Sequence, residues 1–401
     1  MFVDVTRRRN PELIEAAASL HRSGRVPSNC YVIDVDTVAE NASHLAGAAA
    51  QQGLSLFQMT KQFGRNPLVA AAVAHAGIPD VVAVDFEEAR ILHAAGLHIA
   101  HLGHLVQVPA AEVSRAVAMG PDLITVFGFD QAARIAQASA PSGRVQRLLV
   151  RVVGPDDTFY PGQRGGVPVG DLLDVARRIH DLEGVEVAGV TSFPCLLWDA
   201  DASVLRPTTN LDTVVSSARM LRDAGLPAEV VNAPSATCSA VLPMLADRGA
   251  THVEPGSSLT GQTPLHAYAD QPERPAMVYV SEISHVEGDT AYALAGGLYP
   301  RSRAEKALIY GGAEDPTEAV VRLEAPETID YYGTLDVRAS RRPPRVGDSV
   351  VYAFRAQVFT SRAFVAVVSN VRTTPEVLGV FDRNGYRLSS ELLATGMGGP
   401  R

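Results

Sequence analysis

Eight short β-rich runs, separated by seven helix-like segments, recur between residues 54 and 254 and constrain this chain more than any other feature. The runs are Leu54–Thr60, Asp80–Val84, His98–Leu102, Asp122–Val126, Arg147–Val153, Val185–Thr191, Ala228–Asn232 and Thr251–Glu254. Between them lie Pro67–Ala76, Glu87–Ala95, Ala110–Met119, Gln131–Ser139, Asp171–Leu182 and Leu211–Ala224, with Ala236–Asp247 before the last step. Gly77, Gly96, Gly120 and Gly225 follow four of these helices, and glycine suits the left-handed position past a helix end. Strands separated by helices pair in parallel through crossovers. Reaching eight favours closure into a (β/α)₈ TIM barrel over an open doubly wound sheet. No Gly-x-Gly-x-x-Gly follows the first run, which counts against a dinucleotide-binding sheet.

The pattern changes after Gln271. Met277–Val286, Thr290–Ala295, Lys306–Tyr310, Ala319–Leu323, Ser349–Phe359 and Phe364–Val371 read as strands with no long helices between, and Arg341–Arg345 reads as a loop. The expected fold is therefore α/β: a barrel followed by a C-terminal β-sandwich or β-barrel domain. The expected boundaries are 1–36 for an N-terminal helix and strand, 37–270 for the barrel and 271–401 for the β-domain. Asn10–Ser23 reads as the helix, with Pro11 near its start and Gly24 past its end. Cys30–Asp36 reads as a strand that precedes the barrel and is assigned to pairing with the β-domain.

With 401 residues, 46% of them hydrophobic, the chain can fill a barrel of about 250 residues and a second module. Its formal charge of −9 argues against nucleic-acid binding, which leaves a basic stripe. No apolar run reaches the roughly 18 residues of a membrane span, and Arg7, Arg8 and Arg9 lead into no greasy signal segment. Cys30, Cys195 and Cys238 are far apart, so neither disulfides nor a zinc site is indicated and a reducing cytoplasm is expected.

In a barrel of this kind, chemistry gathers at the C-terminal ends of the strands. The first run ends at Lys61, one of only two lysines in the chain. Desolvation lowers an amine's pKa, and the neutral amine attacks carbonyls. The same position also suits a lysine that snorkels from a strand end. The loops after the seventh and eighth runs carry Ser235 and Gly256-Ser257, and phosphate is often bound there by hydroxyls and backbone N–H groups. Ordinary turns have the same composition. Glu254 is a carboxylate at the end of the eighth run and, once buried, requires a partner. His98, His101 and His104 recur every third residue; on a strand, His98 and His104 share a face and His101 points away. His104, at the strand end, is the one expected in a pocket.

Lys61, Ser235, Glu254 and Gly256-Ser257 together resemble the fold-type III pyridoxal phosphate (PLP) enzymes, the alanine racemase-like group, and within it the YhfX-type proteins. The resemblance spans most of the chain. It implies that Lys61 forms a Schiff base with PLP, that Ser235, Gly256 and Ser257 hold its phosphate, and that Arg164 approaches its phenolic oxygen. Phe193 or Ser192 would lie against the ring. It also implies an amino-acid substrate and a homodimer with the site near the interface.

Two departures matter. Alanine racemases place an arginine opposite the pyridine nitrogen, whereas this chain has Glu254, which would keep that nitrogen protonated and strengthen the electron sink. Their catalytic tyrosine is replaced by Ala295 in Leu294-Ala295-Gly296-Gly297-Leu298-Tyr299-Pro300-Arg301. Tyr299, Tyr332, His104 and Cys238 are the alternatives for a second acid or base. The reading is an amino-acid racemase or epimerase, with a PLP lyase second and a non-catalytic PLP carrier third. Arg355, Gln357 and Arg362 of the β-domain suit a carboxylate or plain exposure.

Overall fold

The computed structural model describes residues 1–298, 302–312, 315–325 and 327–389, with Ser142 as backbone only. Two compact units divide the chain: Met1–Asn41, Lys61–Ala72 and Leu259–Arg401 in one, Ala42–Thr60 and Val73–Ser258 in the other. These limits differ from the sequence boundaries at 36/37 and 270/271. The segment from Lys61 groups with the β-rich unit because the turn Lys61–Phe63 packs against the turn Val358–Thr360. Gly64 makes this approach possible: at φ +73°, an added Cβ would lie 2.8 Å from Val358 Cγ1.

In the β-rich unit, β1 (Cys30–Asp34) is buried along its whole length. It lies inside a sheet and not at an edge, which explains a run of apolar residues without alternation. The second unit is built on a parallel ring. Its strands are β2 (Ser55–Leu56), β3 (Gln58–Met59), β4 (Val81–Ala83), β5 (Ile99–Leu102), β6 (Leu123–Val126) and β7 (Gln146–Val153). They continue through β9 (Val185–Thr191), β12 (Val230–Asn232) and β13 (His252–Val253); β8 (Val167–Pro168) pairs only with β7 beside the ring, and β10 (Leu196–Asp199) and β11 (Val204–Pro207) form a separate antiparallel hairpin. All eight β-rich runs are in the ring, the first as two halves, β2 and β3, broken at Phe57. β2 pairs with β13 and β3 with β4, so the break is where the ring closes. The Phe57 and Met59 N–H groups donate to the carbonyls of Val253 at 3.0 Å and Pro255 at 2.8 Å.

The rest of the β-rich unit comprises β14 (Met277–Glu287), β15 (Thr290–Leu294), β16 (Lys306–Tyr310), β17 (Thr317–Arg322), β18 (Tyr332–Asp336), β19 (Ser349–Tyr352), β20 (Phe364–Ser369) and β21 (Glu376–Phe381). Strands β14, β15, β18, β17, β16 and β19 pair in that order and close antiparallel into a small barrel. β1 runs antiparallel to β14 and parallel to β20, extending that sheet. β18 and β21, interrupted by Gly333 and Gly379, are strands beyond those expected from the sequence.

The helix expected over Asn10–Ser23 is present as α2 (Pro11–Arg22), and a further helix, α1 (Phe2–Arg9), precedes it. Asn10, at φ −152°, breaks them, and its Nδ2 donates to Asp34 Oδ2 at 3.1 Å and the Pro275 carbonyl at 2.9 Å. Arg7, Arg8 and Arg9 form the last turn of α1, where cations complement the helix dipole. The expected strand stops at Asp34, because α3 (Val35–Gln51) begins there, with the Thr37 N–H donating to Asp34 Oδ1 at 3.2 Å.

Phe57, Met59, Val82, Ala100, Leu123, Leu149, Ala188 and Val230 form an apolar layer inside the parallel ring. β9 can pass β12 there only because residue 189 is glycine: a Cβ on Gly189 would lie 1.9 Å from the Val230 carbonyl oxygen. Gly189→Ala is therefore expected to lower stability by about 1–3 kcal/mol. Gly170→Ala, with nothing within 4 Å of its Cβ, should leave it unchanged. Urea denaturation of the two variants checks this, and equal midpoints would refute it.

Candidate active site

The interior changes character just above the apolar layer. Arg151 on β7, Thr191 on β9 and Asn232 on β12 stand in register, and each lies two residues beyond Leu149, Gly189 and Val230 respectively, so their side chains enter the ring. Thr125 on β6, His101 on β5 and Glu254 just past β13 continue this polar layer. All six residues are buried. The layer sits at the C-terminal ends of the strands, where barrel chemistry is found.

Glu254 is its centre. Asn232 Nδ2 donates to Oε1 at 2.8 Å, and His101 Nδ1 lies 3.1 Å from the same oxygen. His104 Nε2 is 3.3 Å from Oε2, which accepts no hydrogen bond among the described residues. Burial alone would push this carboxyl up; the His104 and His101 rings and the Asn232 amide outweigh it and hold it below the usual carboxylate range. Behind this group, His101 Nε2 meets Thr125 Oγ1 at 2.6 Å, and Asn232 Nδ2 also reaches Thr191 Oγ1 at 3.1 Å.

His101 faces the site, and His98 does not. The pairing of β4 with β5 jumps from Val81–Ile99 to Val82–His101, so Ala100 is an extra residue. A bulge of this kind inverts the alternation beyond it. His98 lies before the strand, at its exposed end, bonded to Asp122 Oδ2 at 2.7 Å. Gly103, at φ +79°, then turns the chain so that His104 arrives beside His101, ring centroids 5.7 Å apart. The ligand atoms of His101, His104 and Glu254 lie within 4.8 Å of one another, as do those of Asp80, His98 and Asp122 at the opposite strand ends. Either trio is compact enough to gather a cation.

The two loops expected to hold phosphate carry buried hydroxyls. Ser235, at φ +109°, donates its own Oγ to the Leu196 carbonyl at 2.7 Å. Thr237 Oγ1 and Ser258 Oγ are buried and have no partner among the described residues. Gly256 is buried and Ser257 half-buried beside Ser258. Unsatisfied hydroxyls next to a glycine turn suit an oxyanion. Thr237 and Ser258 went unnoticed in the sequence because small hydroxyl residues are common in any loop.

Phe193 stands edge-on to His104, centroids 5.5 Å apart, with Tyr160 at 5.7 Å on its other side. Arg164 is exposed, its guanidinium over the Phe159 ring at 5.0 Å, so it is not in the buried layer. Arg151 is there instead. Lys61 opens the turn that follows Thr60 at the end of β3, with Nζ 5.6 Å from the Phe359 ring centroid. The other lysine, Lys306, pairs with Asp4 at 3.1 Å. Tyr299 lies outside the described residues. Tyr332 is exposed against His285, centroids 5.1 Å apart, Cys238 is buried, and Arg362 pairs with Asp330 at 2.8 Å.

His252 packs on Phe57 beneath the site, centroids 5.1 Å apart, and burial pulls its pKa from 6.5 to about 4. A ring kept neutral by folding contributes stability that is complete above the unfolded pKa and is lost as the pH falls. Wild-type stability should therefore decline from pH 6.5 toward about pH 4 more steeply than that of His252→Gln. Melting temperatures measured across this range test it, and parallel curves would refute it.

No helix among the described residues is long and apolar enough to cross a membrane. Residues 33–264 match the alanine racemase N-terminal domain, and residues 278–377 match the YhfX-like C-terminal domain. The chain is 42% identical over 392 residues to a protein of Escherichia coli strain K12 described as uncharacterized protein YhfX, covering 97% of this chain and 100% of that one. D-threonine aldolase from Filomicrobium marinum superposes with a TM-score of 0.67 at 16% identity, over 94% of this chain and 98% of the other. Alanine racemase of Clostridium difficile 630 superposes with a TM-score of 0.62 at 15% identity, over 89% and 99%. The two domain matches, in this order, and the full-length identity place the chain in the YhfX-like family of alanine racemase-fold proteins.

Proposed function

We propose that this protein is a PLP-dependent amino-acid racemase or epimerase acting at the α-carbon. The observation that carries the cofactor part of this reading is Glu254: a buried carboxylate held in its ionised form, with Oε2 open to a further donor. A protonated pyridine nitrogen supplies that donor. The orphaned hydroxyls of Thr237 and Ser258 fit the phosphate of the same cofactor. When bound, PLP supplies an electron sink conjugated with the substrate's α-carbon.

The chain's own residues divide the remaining work. Lys61, directly after the first barrel strand, anchors the cofactor through its amine and then moves the α-proton on one face. Ser235, Gly256 and Ser257 join Thr237 and Ser258 at the phosphate. Arg164 serves the phenolic oxygen from its glycine-rich loop, and Phe193 lies against the ring. His104 and Tyr299 are the acid–base candidates for the second face. The working form proposed is a cytoplasmic homodimer with the site near its interface.

A PLP lyase is the second reading. Glu254 favours it, since a protonated ring supports full carbanion chemistry beyond proton exchange, and the similarity to a D-threonine aldolase agrees with it. Purified protein loaded with PLP should show a visible absorbance band that borohydride removes, and Lys61→Ala should lack it. Absence of the band in wild type overturns the cofactor assignment. Incubation with an amino-acid panel in D₂O then separates the readings. α-Deuteration with inversion and no carbon loss supports the racemase; release of CO₂, ammonia or an aldehyde replaces it with the lyase.

A further inference from the structure

His101, His104 and Glu254 form a ligand set as well as a hydrogen-bonded group. Their side chains are at most 1% exposed, and their donor atoms lie within 4.8 Å of one another. His101 Nδ1 is 3.1 Å from Glu254 Oε1, and His104 Nε2 is 3.3 Å from Oε2. Ligands held about 2.0–2.1 Å from a zinc ion stand roughly 3.3 Å apart in a tetrahedron, so each ring nitrogen lies about one such edge from a carboxylate oxygen. Hydrogen bonding leaves one atom over. Asn232 satisfies Oε1, whereas Oε2 is buried and accepts no hydrogen bond among the described residues, although the His104 ring faces it. A cation between that oxygen and the two rings removes the cost of burying it alone.

The surroundings are those of a metal site. A metal-bound imidazole is oriented through its other nitrogen, and a ligating carboxylate is itself hydrogen-bonded. His101 Nε2 meets Thr125 Oγ1 at 2.6 Å, and Asn232 Nδ2 donates to Glu254 Oε1 at 2.8 Å. Phe57 and Phe193 pack against the two rings, centroids 5.7 Å from His101 and 5.5 Å from His104, and shield them from water. The trio of Asp80, His98 and Asp122 lacks this shell. His98 and Asp122 are 49% and 51% exposed, so water competes for every ligand there. Two imidazoles and a carboxylate select zinc-like ions over magnesium or calcium, which prefer oxygen alone, and they leave a fourth position open.

We propose that His101 Nδ1, His104 Nε2 and the Glu254 carboxylate bind a divalent transition-metal ion of the zinc class when the protein carries no PLP. The ion takes the oxygen that the cofactor's ring nitrogen needs, so metal and cofactor exclude each other. That exclusion rests on the proposed function; the metal site does not. Bound metal thereby keeps unloaded protein from taking up cofactor.

The test uses the full chain, stripped of cofactor and metal, with zinc and cobalt(II) chlorides as probes. Calorimetry should find one tightly bound zinc ion per chain in wild type and equally in His98→Gln, which breaks the exposed trio. His104→Gln and Glu254→Gln should weaken binding by about a hundredfold or more, and Thr125→Val, which removes only the outer partner of His101, by about tenfold. Cobalt(II) should give the intense visible bands of a four-coordinate ion. No zinc binding in wild type, equal affinity in Glu254→Gln, or loss of binding in His98→Gln overturns the site. Should the inner variants fail to fold, the wild-type cobalt spectrum decides, and the weak bands of a six-coordinate ion overturn the site. PLP-loaded protein should bind zinc at least about tenfold more weakly than unloaded protein, and equal affinity overturns the exclusion. A protein that never shows a visible PLP band sinks the proposed function instead, and zinc binding to the unloaded chain then decides the metal site by itself.

Discussion

A carboxylate buried at the mouth of a closed barrel governs this site. Isolated in such a place, Glu254 would take up a proton. It remains ionised because two other strands bring polar groups to it: Asn232 donates at 2.8 Å, the His101 ring lies at 3.1 Å, and the His104 ring, just past the same strand as His101, stands 3.3 Å away. Asn232 is held in turn by Thr191, and His101 by Thr125. Loss of one member would leave the others buried without partners, so the network acts as a unit.

The barrel makes this possible by layering. The lower interior is filled by aliphatic side chains and Phe57, which exclude water from beneath the polar ring. Two local irregularities serve the upper layer. The extra residue at Ala100 rotates His101 inward, and the broken first strand lets the Phe57 and Met59 N–H groups close the ring against Val253 and Pro255. Gly103 contributes a third device, a left-handed turn that returns His104 toward the same carboxylate.

Electrostatically the mouth is divided. Glu254 presents an anion on the eighth strand, and Arg151 presents a cation on the fifth. Between them stand neutral Thr191 and Asn232. The hydroxyls of Thr237 and Ser258 extend the acceptance of negative charge into the loops after the last two strands.

The sequence by itself determined the fold class, since eight apolar runs spaced by helices leave little choice but a parallel ring, and strand-like runs with no long helices between them after Gln271 indicate a β-domain. It also marked Glu254, His104 and the two small-residue loops, because strand ends are visible in a hydropathy pattern. It did not show α3, whose first residues continue the apolar run of β1, nor β18 and β21, each interrupted by a glycine. Only the tertiary structure decided which side chains meet. A one-residue bulge moved His101 from the outside to the site, and no periodic rule contains an inserted residue. Arg151 and Arg164 are equally polar in the sequence. Packing buried the first without a counter-ion and left the second on the surface, because burial depends on strands that lie far apart along the chain.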